Sequence, residues 1–239
     1  RVVEELGYDA LKFDLDVPSG HEKDRANRHL RPAEIEHKAS IVEAVTKRVG
    51  HRADVAFDCH WTFSADSAKR LAKRLEEYDV WWLEDPVPPE NHDVQREVSQ
   101  STMTPITVGE NVYRTHGQRR LIEEQAVDII APDMPKVGGM RETRKIADLA
   151  DLYYVPVAMH NVASPVATVA SAHVGAAISN ALAVEYHSYE LGWWEELVEE
   201  DVIEDGYIEV PEEPGLGVTL DMDAVEAHMI DGEELFDEA

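Results

Sequence analysis

The chain has 239 residues, enough for one substantial core, and a formal net charge of −27. A surface this acidic repels nucleic-acid phosphates and anionic lipid, so neither is expected as a partner. No run of about 18 apolar residues is present, which argues against a transmembrane helix, and the single cysteine, Cys59, excludes an internal disulfide and fits a reducing, cytoplasmic setting.

The opening Arg1-Val2-Val3-Glu4-Glu5-Leu6 lacks the basic-then-apolar layout of a signal peptide. It reads as the end of an amphipathic helix, and the numbering is expected to begin inside a longer protein. The segment 10–14 then reads as a strand, followed by a polar loop to Arg31. Pro32 opens a helix over 33–49 with apolar positions Ile35, Ile41, Val42 and Val45. Further strands are expected at 55–58, 80–84, 106–110, 129–131, 155–159 and 182–185. Helical patterns at 65–77, 117–124, 139–151 and 165–179 lie among them. Near-continuous apolar strands alternating with helices predict an α/β fold, a parallel sheet covered by helices. Seven strands appear where a closed (β/α) barrel has eight, so the missing one is expected upstream of Arg1. With no Gly/Ser-rich linker, residues 1–239 are expected to form one catalytic barrel domain, with 206–239 a tail outside the barrel series.

Carboxylates are spread over the whole length, in 34–43, 76–79, 195–205 and 233–238, mostly at positions suited to outer helix faces. This distribution resembles proteins of salt-loving organisms, in which concentrated salt screens the self-repulsion. An ordinary acidic enzyme is the alternative.

Polar residues recur at the C-terminal ends of the expected strands, the face on which barrel enzymes build active sites. They are Asp58 with His60, Glu84, Glu110, Asp133, His160 and Glu185, about one per strand–helix unit. A lone carboxylate at a strand end is usually a helix cap or a solvated charge; a set repeated unit by unit is harder to explain so. Asp58, Glu84 and Glu110 would repel one another in a pocket unless a hard dication joined them, and all-oxygen ligands suit Mg²⁺. Strand alternation points Asp58 and His60 the same way and sends Cys59 into core packing. His160 ends another strand, with Asp133 one unit earlier, positioned to raise the imidazole's basicity and fix its tautomer. A dication at a substrate carboxylate stabilises the charge that develops when the adjacent proton leaves, and a second histidine supplies the acid for a departing hydroxyl.

Six elements carry a resemblance: Asp58-Cys59-His60, Trp82-Leu83-Glu84-Asp85-Pro86, Val108-Gly109-Glu110-Asn111, Ala131-Pro132-Asp133, Lys136-Val137-Gly138-Gly139 and Met159-His160-Asn161. As a set they resemble the C-terminal barrel of the enolase superfamily, mandelate racemase subgroup. Within it they are most similar to sugar-acid dehydratases of the galactonate, gluconate and xylonate type, haloarchaeal ones included. The resemblance implies a modified TIM barrel whose first strand and N-terminal capping domain lie outside this chain. It implies Mg²⁺ on Asp58, Glu84 and Glu110, holding the carboxylate of a small-molecule sugar acid. His160 with Asp133 would remove the C2 proton, Glu185 would hydrogen-bond the carboxylate through an enediolate stage, and His60 would protonate the C3 hydroxyl. The product would be a 2-keto-3-deoxy sugar acid, and the protein a homo-oligomer.

One departure bears on the reaction. Many racemases of the superfamily carry two lysines spaced by one residue on the second barrel strand, whereas this chain reads Lys12-Phe13-Asp14. That favours a dehydratase over a racemase or epimerase; a truncated, non-catalytic metal-binding fragment is the third alternative. Lys12 itself is open between substrate contact and a buried structural salt bridge. The loops 86–92 and 20–31 are open between lining the pocket and simple solvation.

Overall fold

In the computed structural model, the described residues are 1–18, 28–187 and 192–233. A short helix α1 (Val2–Glu5) precedes β1 (Ala10–Asp14). The series then runs α2 (Pro32–Val49), β2 (Asp54–Asp58), α3 (Ala65–Leu75), β3 (Leu83–Glu84), α4 (His92–Ser99), β4 (Ile106–Val108), α5 (Arg114–Glu123) and β5 (Ile129–Ile130). It continues with α6 (Met134–Val137), α7 (Met140–Leu152), β6 (Val157–Met159), α8 (Pro165–Ala176), β7 (Ala181–Val184) and, later, α9 (Met222–Ala227). The seven strands lie in sequence order in one sheet, and every neighbouring pair is parallel. The result is a curled, seven-stranded portion of a barrel with its helices outside.

Local chemistry explains the elements. Pro32 occupies the first turn of α2, where its missing N–H costs nothing, and Glu34 Oε2 accepts the Arg31 N–H at 2.7 Å. In α3, Ser64 caps the Ser67 N–H, and Ala68, Leu71, Ala72 and Leu75 form one buried stripe at helical spacing. Leu71 and Leu75 are fully buried, and each such side chain contributes roughly 1.5–3 kcal/mol. Strand alternation divides the strand side chains into two layers. Val55 and Phe57 pack outward under the helices, while Ala56, Trp82, Ile129 and Ala158 cluster together on the other face. Asp58 shares the parity of Ala56, and Glu84 that of Trp82. This places both carboxylates at the mouth of the second layer.

The strands are shorter than the apolar runs suggest. Within 80–84 only Leu83–Glu84 is regular strand, although the Trp81 N–H still donates to the Val55 carbonyl and the Phe57 N–H to that of Trp82. Helix α4 follows a stretch for which the sequence suggested only a loop; its signal is Asn91, whose Oδ1 accepts the Val94 N–H at 3.2 Å, with Val94 and Val98 four residues apart. The segment after Asp205 rests on the barrel's flank: Tyr207 Oη donates to Asp9 at 3.1 Å, and the His173 ring lies 3.0 Å from the Leu216 carbonyl. No helix among the described residues is long and apolar enough to cross a membrane.

Candidate active site

Asp58 ends β2, Glu84 ends β3, and Glu110 follows β4 by two residues. Gly109 lets β4 and β5 approach there: a Cβ at that position would lie 2.7 Å from the Ala131 carbonyl carbon. Oxygen atoms of Asp58, Glu84 and Glu110 all lie within 4.8 Å of one another, and all three residues are buried. Trp82 Nε1 donates to Glu84 at 2.9 Å, and Asn111 Nδ2 donates to Glu110 at 2.6 Å.

The charge balance of this cluster is negative. Lys12, from the middle of β1, places its ammonium 2.8 Å from Glu84, 2.9 Å from Glu185 and 3.3 Å from Asp58. Of the two readings open for Lys12, the geometry shows the ion pair. Burial alone would lower its pKa, but these carboxylates drive it well above the usual range. One ammonium is not enough. Burial, joined by Asp58 and Glu185, raises Glu84 to about 7 against the pull of Lys12. Asp85 behind it is buried, with Oδ1 lacking any partner, and burial and the neighbouring carboxylates push it well above the carboxylate range. Three buried oxygen ligands short of positive charge fit a hard dication such as Mg²⁺, and nothing in the set is soft enough to favour a thiophilic metal. Cys59 is buried in the outer core and burial holds its thiol far above neutrality, which leaves it in packing.

His160 follows β6 directly, and its Nδ1 lies 2.8 Å from Asp133 Oδ2. Asp133 is held twice over, since its other oxygen caps α6 through the Lys136 N–H at 2.9 Å. His160 Nε2 faces Glu110 at 2.6 Å and Glu185 at 3.8 Å. Burial would lower the imidazole pKa, but hydrogen bonds to Asp133 and Glu110 and the charge of Glu185 raise it to about 10. Glu185 also accepts the Asn161 N–H at 3.2 Å. His60 stands on the opposite side, half-buried, with Nε2 3.7 Å from Asp58 and Nδ1 3.2 Å from Asp16. Burial works against its protonation, but Asp58, Asp16 and Asp14 outweigh it and raise its pKa.

All seven residues selected from the sequence therefore meet at one end of the sheet. The sequence reading missed others. Lys136 Nζ is 3.5 Å from Asp133 and 3.9 Å from Glu110, and Asn111 and Asn161 steady the carboxylates beside them. All three lie inside the quoted motifs, which was their only signal. Asp14 ends β1 and was visible only within Lys12-Phe13-Asp14, and Asp16, two residues beyond the strand, carried no signal. Of the 86–92 loop, Pro89, Glu90 and His92 line a cavity with Trp61, Asn111 and Tyr113, adjoining the carboxylate cluster. Of the 20–31 loop, residues 20–27 lie outside the described residues, while Arg28 donates to the Trp61 carbonyl at 2.5 Å.

Relatives carry the same architecture. A D-xylonate dehydratase from Haloferax volcanii is 77% identical over 239 residues, all of this chain and 58% of that protein. A D-gluconate dehydratase from Thermoproteus tenax is 30% identical, over 96% of this chain and 45% of its own length. A crystal structure of a mandelate racemase/muconate lactonizing enzyme-like protein from Rubrobacter xylanophilus superposes with a TM-score of 0.93 at 44% identity, covering 98% of this chain and 61% of that one. The chain thus spans about half the length of these relatives, between 45% and 61% of each. With strand-end carboxylates, a histidine–aspartate pair and a match to the family model over residues 1–224, the chain belongs to the enolase C-terminal domain-like family.

Proposed function

We propose that the full-length protein containing this chain dehydrates a sugar acid, an aldonate of the xylonate type, to a 2-keto-3-deoxy sugar acid. The observation that carries the reading is the placement of two imidazoles on opposite sides of one carboxylate cluster, His160 paired to Asp133 and His60 beside Asp58. The 77% identical D-xylonate dehydratase supports it. Asp58, Glu84 and Glu110 would hold Mg²⁺, which when bound stabilises negative charge developing on a substrate carboxylate.

His160 Nε2 accepts the C2 proton, and Asp133 at Nδ1 supports the resulting imidazolium. Glu110 and Glu185 also face Nε2, and their charge favours the protonated ring. With Glu110 engaged in holding a cation and Glu185 a substrate, this nitrogen would be free to act as base. The electron pair of the C2–H bond is first held on the substrate as an enediolate, and it then forms the C2–C3 double bond as the C3–O bond breaks. His60 delivers its Nε2 proton to the departing hydroxyl, which leaves as water. The enol then takes up a proton at C3 and releases its C2 hydroxyl proton to give the ketone. Lys12-Phe13-Asp14 puts a carboxylate where a second lysine base would stand, which supports elimination over racemisation.

The acidic surface extends the reading to a cytoplasmic, salt-adapted protein whose partner is a small-molecule sugar acid, not nucleic acid or membrane. Self-association into a homo-oligomer belongs to the same proposal, and light scattering of the full-length protein tests it. The test of function is a panel of pentonates and hexonates, with the 2-keto-3-deoxy product as readout. His160→Asn is expected to abolish dehydration and C2-proton exchange together. His60→Asn is expected to slow dehydration roughly 10²–10⁴-fold while C2 exchange persists. Exchange surviving in His160→Asn but lost in His60→Asn would reverse the two roles.

A further inference from the structure

We propose that Asp16 is a positioning residue for His60, and that the buried Lys38 holds Asp16 in place. The inference rests on the reading of the full-length protein as a sugar-acid dehydratase with His60 as its acid. His60 needs a device of this kind. Its side chain is 38% exposed, its backbone is forced into the left-handed region at φ +43°, and its ring is flanked edge-on by Trp61 at 5.9 Å. A non-glycine residue stays in that region only where its surroundings over-determine it. The Asp58 carboxylate fixes the His60 backbone by accepting its N–H at 2.8 Å, but that bond leaves the side-chain torsions free. Asp16 Oδ1, 3.2 Å from Nδ1, supplies the missing constraint and turns Nε2 toward Asp58 and the pocket. With Nδ1 held, Nε2 is the nitrogen from which the proton leaves.

The segment bearing Asp16 is itself clamped. The Leu15 N–H donates to the Asp58 carbonyl at 2.6 Å, extending the β1–β2 pairing by one residue. Lys38 of α2, buried at 3% exposure, donates through Nζ to the Leu15 carbonyl at 2.7 Å and the Val17 carbonyl at 3.2 Å, one on each side of Asp16. Taking an ammonium out of water is costly, and here two of its hydrogen bonds go to the carbonyls that flank a single functional carboxylate, with the Phe63 ring 5.3 Å from Nζ. Asp14, Asp16 and His60 bring ligand atoms within 4.8 Å of one another, and the Asp16–Nδ1 hydrogen bond makes this trio a cradle for the ring.

The experiment uses the full-length protein with a sugar acid it dehydrates, and with the analogue in which fluorine replaces the C3 hydroxyl. Fluoride departs as an anion and needs little help from an acid. Asp16→Ala is expected to lower kcat for the natural substrate about tenfold, the worth of a charge-assisted hydrogen bond, with KM nearly unchanged. On the fluoro analogue the defect should shrink to about twofold. Asp16→Asn, whose amide oxygen still accepts from Nδ1–H, should recover most of the rate, and Lys38→Met should show the same leaving-group dependence as Asp16→Ala. If Asp16→Ala does not fold, Asp16→Ser, too short to reach the ring, takes its place. A defect equal on both substrates, or a wild-type rate in Asp16→Ala, overturns the positioning role while leaving the dehydratase reading intact. A wild-type protein that dehydrates no sugar acid overturns both.

Discussion

Lys12 is the internal counter-ion of the carboxylate cluster, and replacing it with methionine tests how that cluster is balanced. Its ammonium lies 2.8–3.3 Å from Glu84, Glu185 and Asp58, and its side chain is 19% exposed. At an effective dielectric near 20, each contact is worth about 5–6 kcal/mol of attraction, much of it offset by the cost of desolvating the ammonium. Removing one partner from such an arrangement costs about 3–5 kcal/mol, because the carboxylates stay buried without their cation. Proton uptake limits the loss. Glu84 already titrates near 7 and moves higher without Lys12, so at pH 6 it protonates and the penalty shrinks. At pH 8.5 the penalty should be felt more fully. The assay is chemical denaturation of the full-length protein in KCl with chelator, at both pH values, then with Mg²⁺. Mg²⁺ should stabilise Lys12→Met more than the wild type, since a dication then faces three carboxylates with no competing ammonium. A loss below about 1 kcal/mol at pH 8.5, or equal stabilisation of both proteins by Mg²⁺, would refute the reasoning.

Glu84→Gln should keep the fold, since the amide oxygen can still accept from Trp82 Nε1, yet weaken Mg²⁺ binding by more than about tenfold in calorimetry. The melting temperature should rise with KCl into the molar range, because the net charge of −27 leaves self-repulsion to be screened; indifference to KCl would count against salt adaptation. Glu142 accepts the Thr115 N–H at 3.0 Å and its hydroxyl at 2.8 Å, and with Lys145 these bonds lower its pKa from an ordinary 4.5 to about 2. A depressed carboxylate contributes stability that is complete above pH 4.5 and lost as pH falls toward 2. The melting temperature of Glu142→Gln should therefore fall less steeply than that of the wild type between pH 5 and pH 2.5.

The sequence alone determined the order of the strands and of the longer helices, since strand and helix periods differ and Pro32 opens α2, while the short α4 and α6 escaped it. It also determined which residues end the strands, and strand parity placed Asp58 and Glu84 on the same inner face as Ala56 and Trp82. What it left open depends on where the curl of the sheet brings distant strands. Lys12 and Glu84 lie 72 residues apart, and only the approach of β1 to β3 across the end of β2 makes them an ion pair. The same curl turned His160 toward Glu110 as well as Asp133, a contact that no spacing along the chain encodes. Asp16 and His60, 44 residues apart, meet because Lys38 from a third element holds the turn after β1. Local rules act over a few residues and fix what each element is. The charge balance of the site is set by side chains from several elements sharing one low-dielectric space, and only the tertiary structure decides which of them share it.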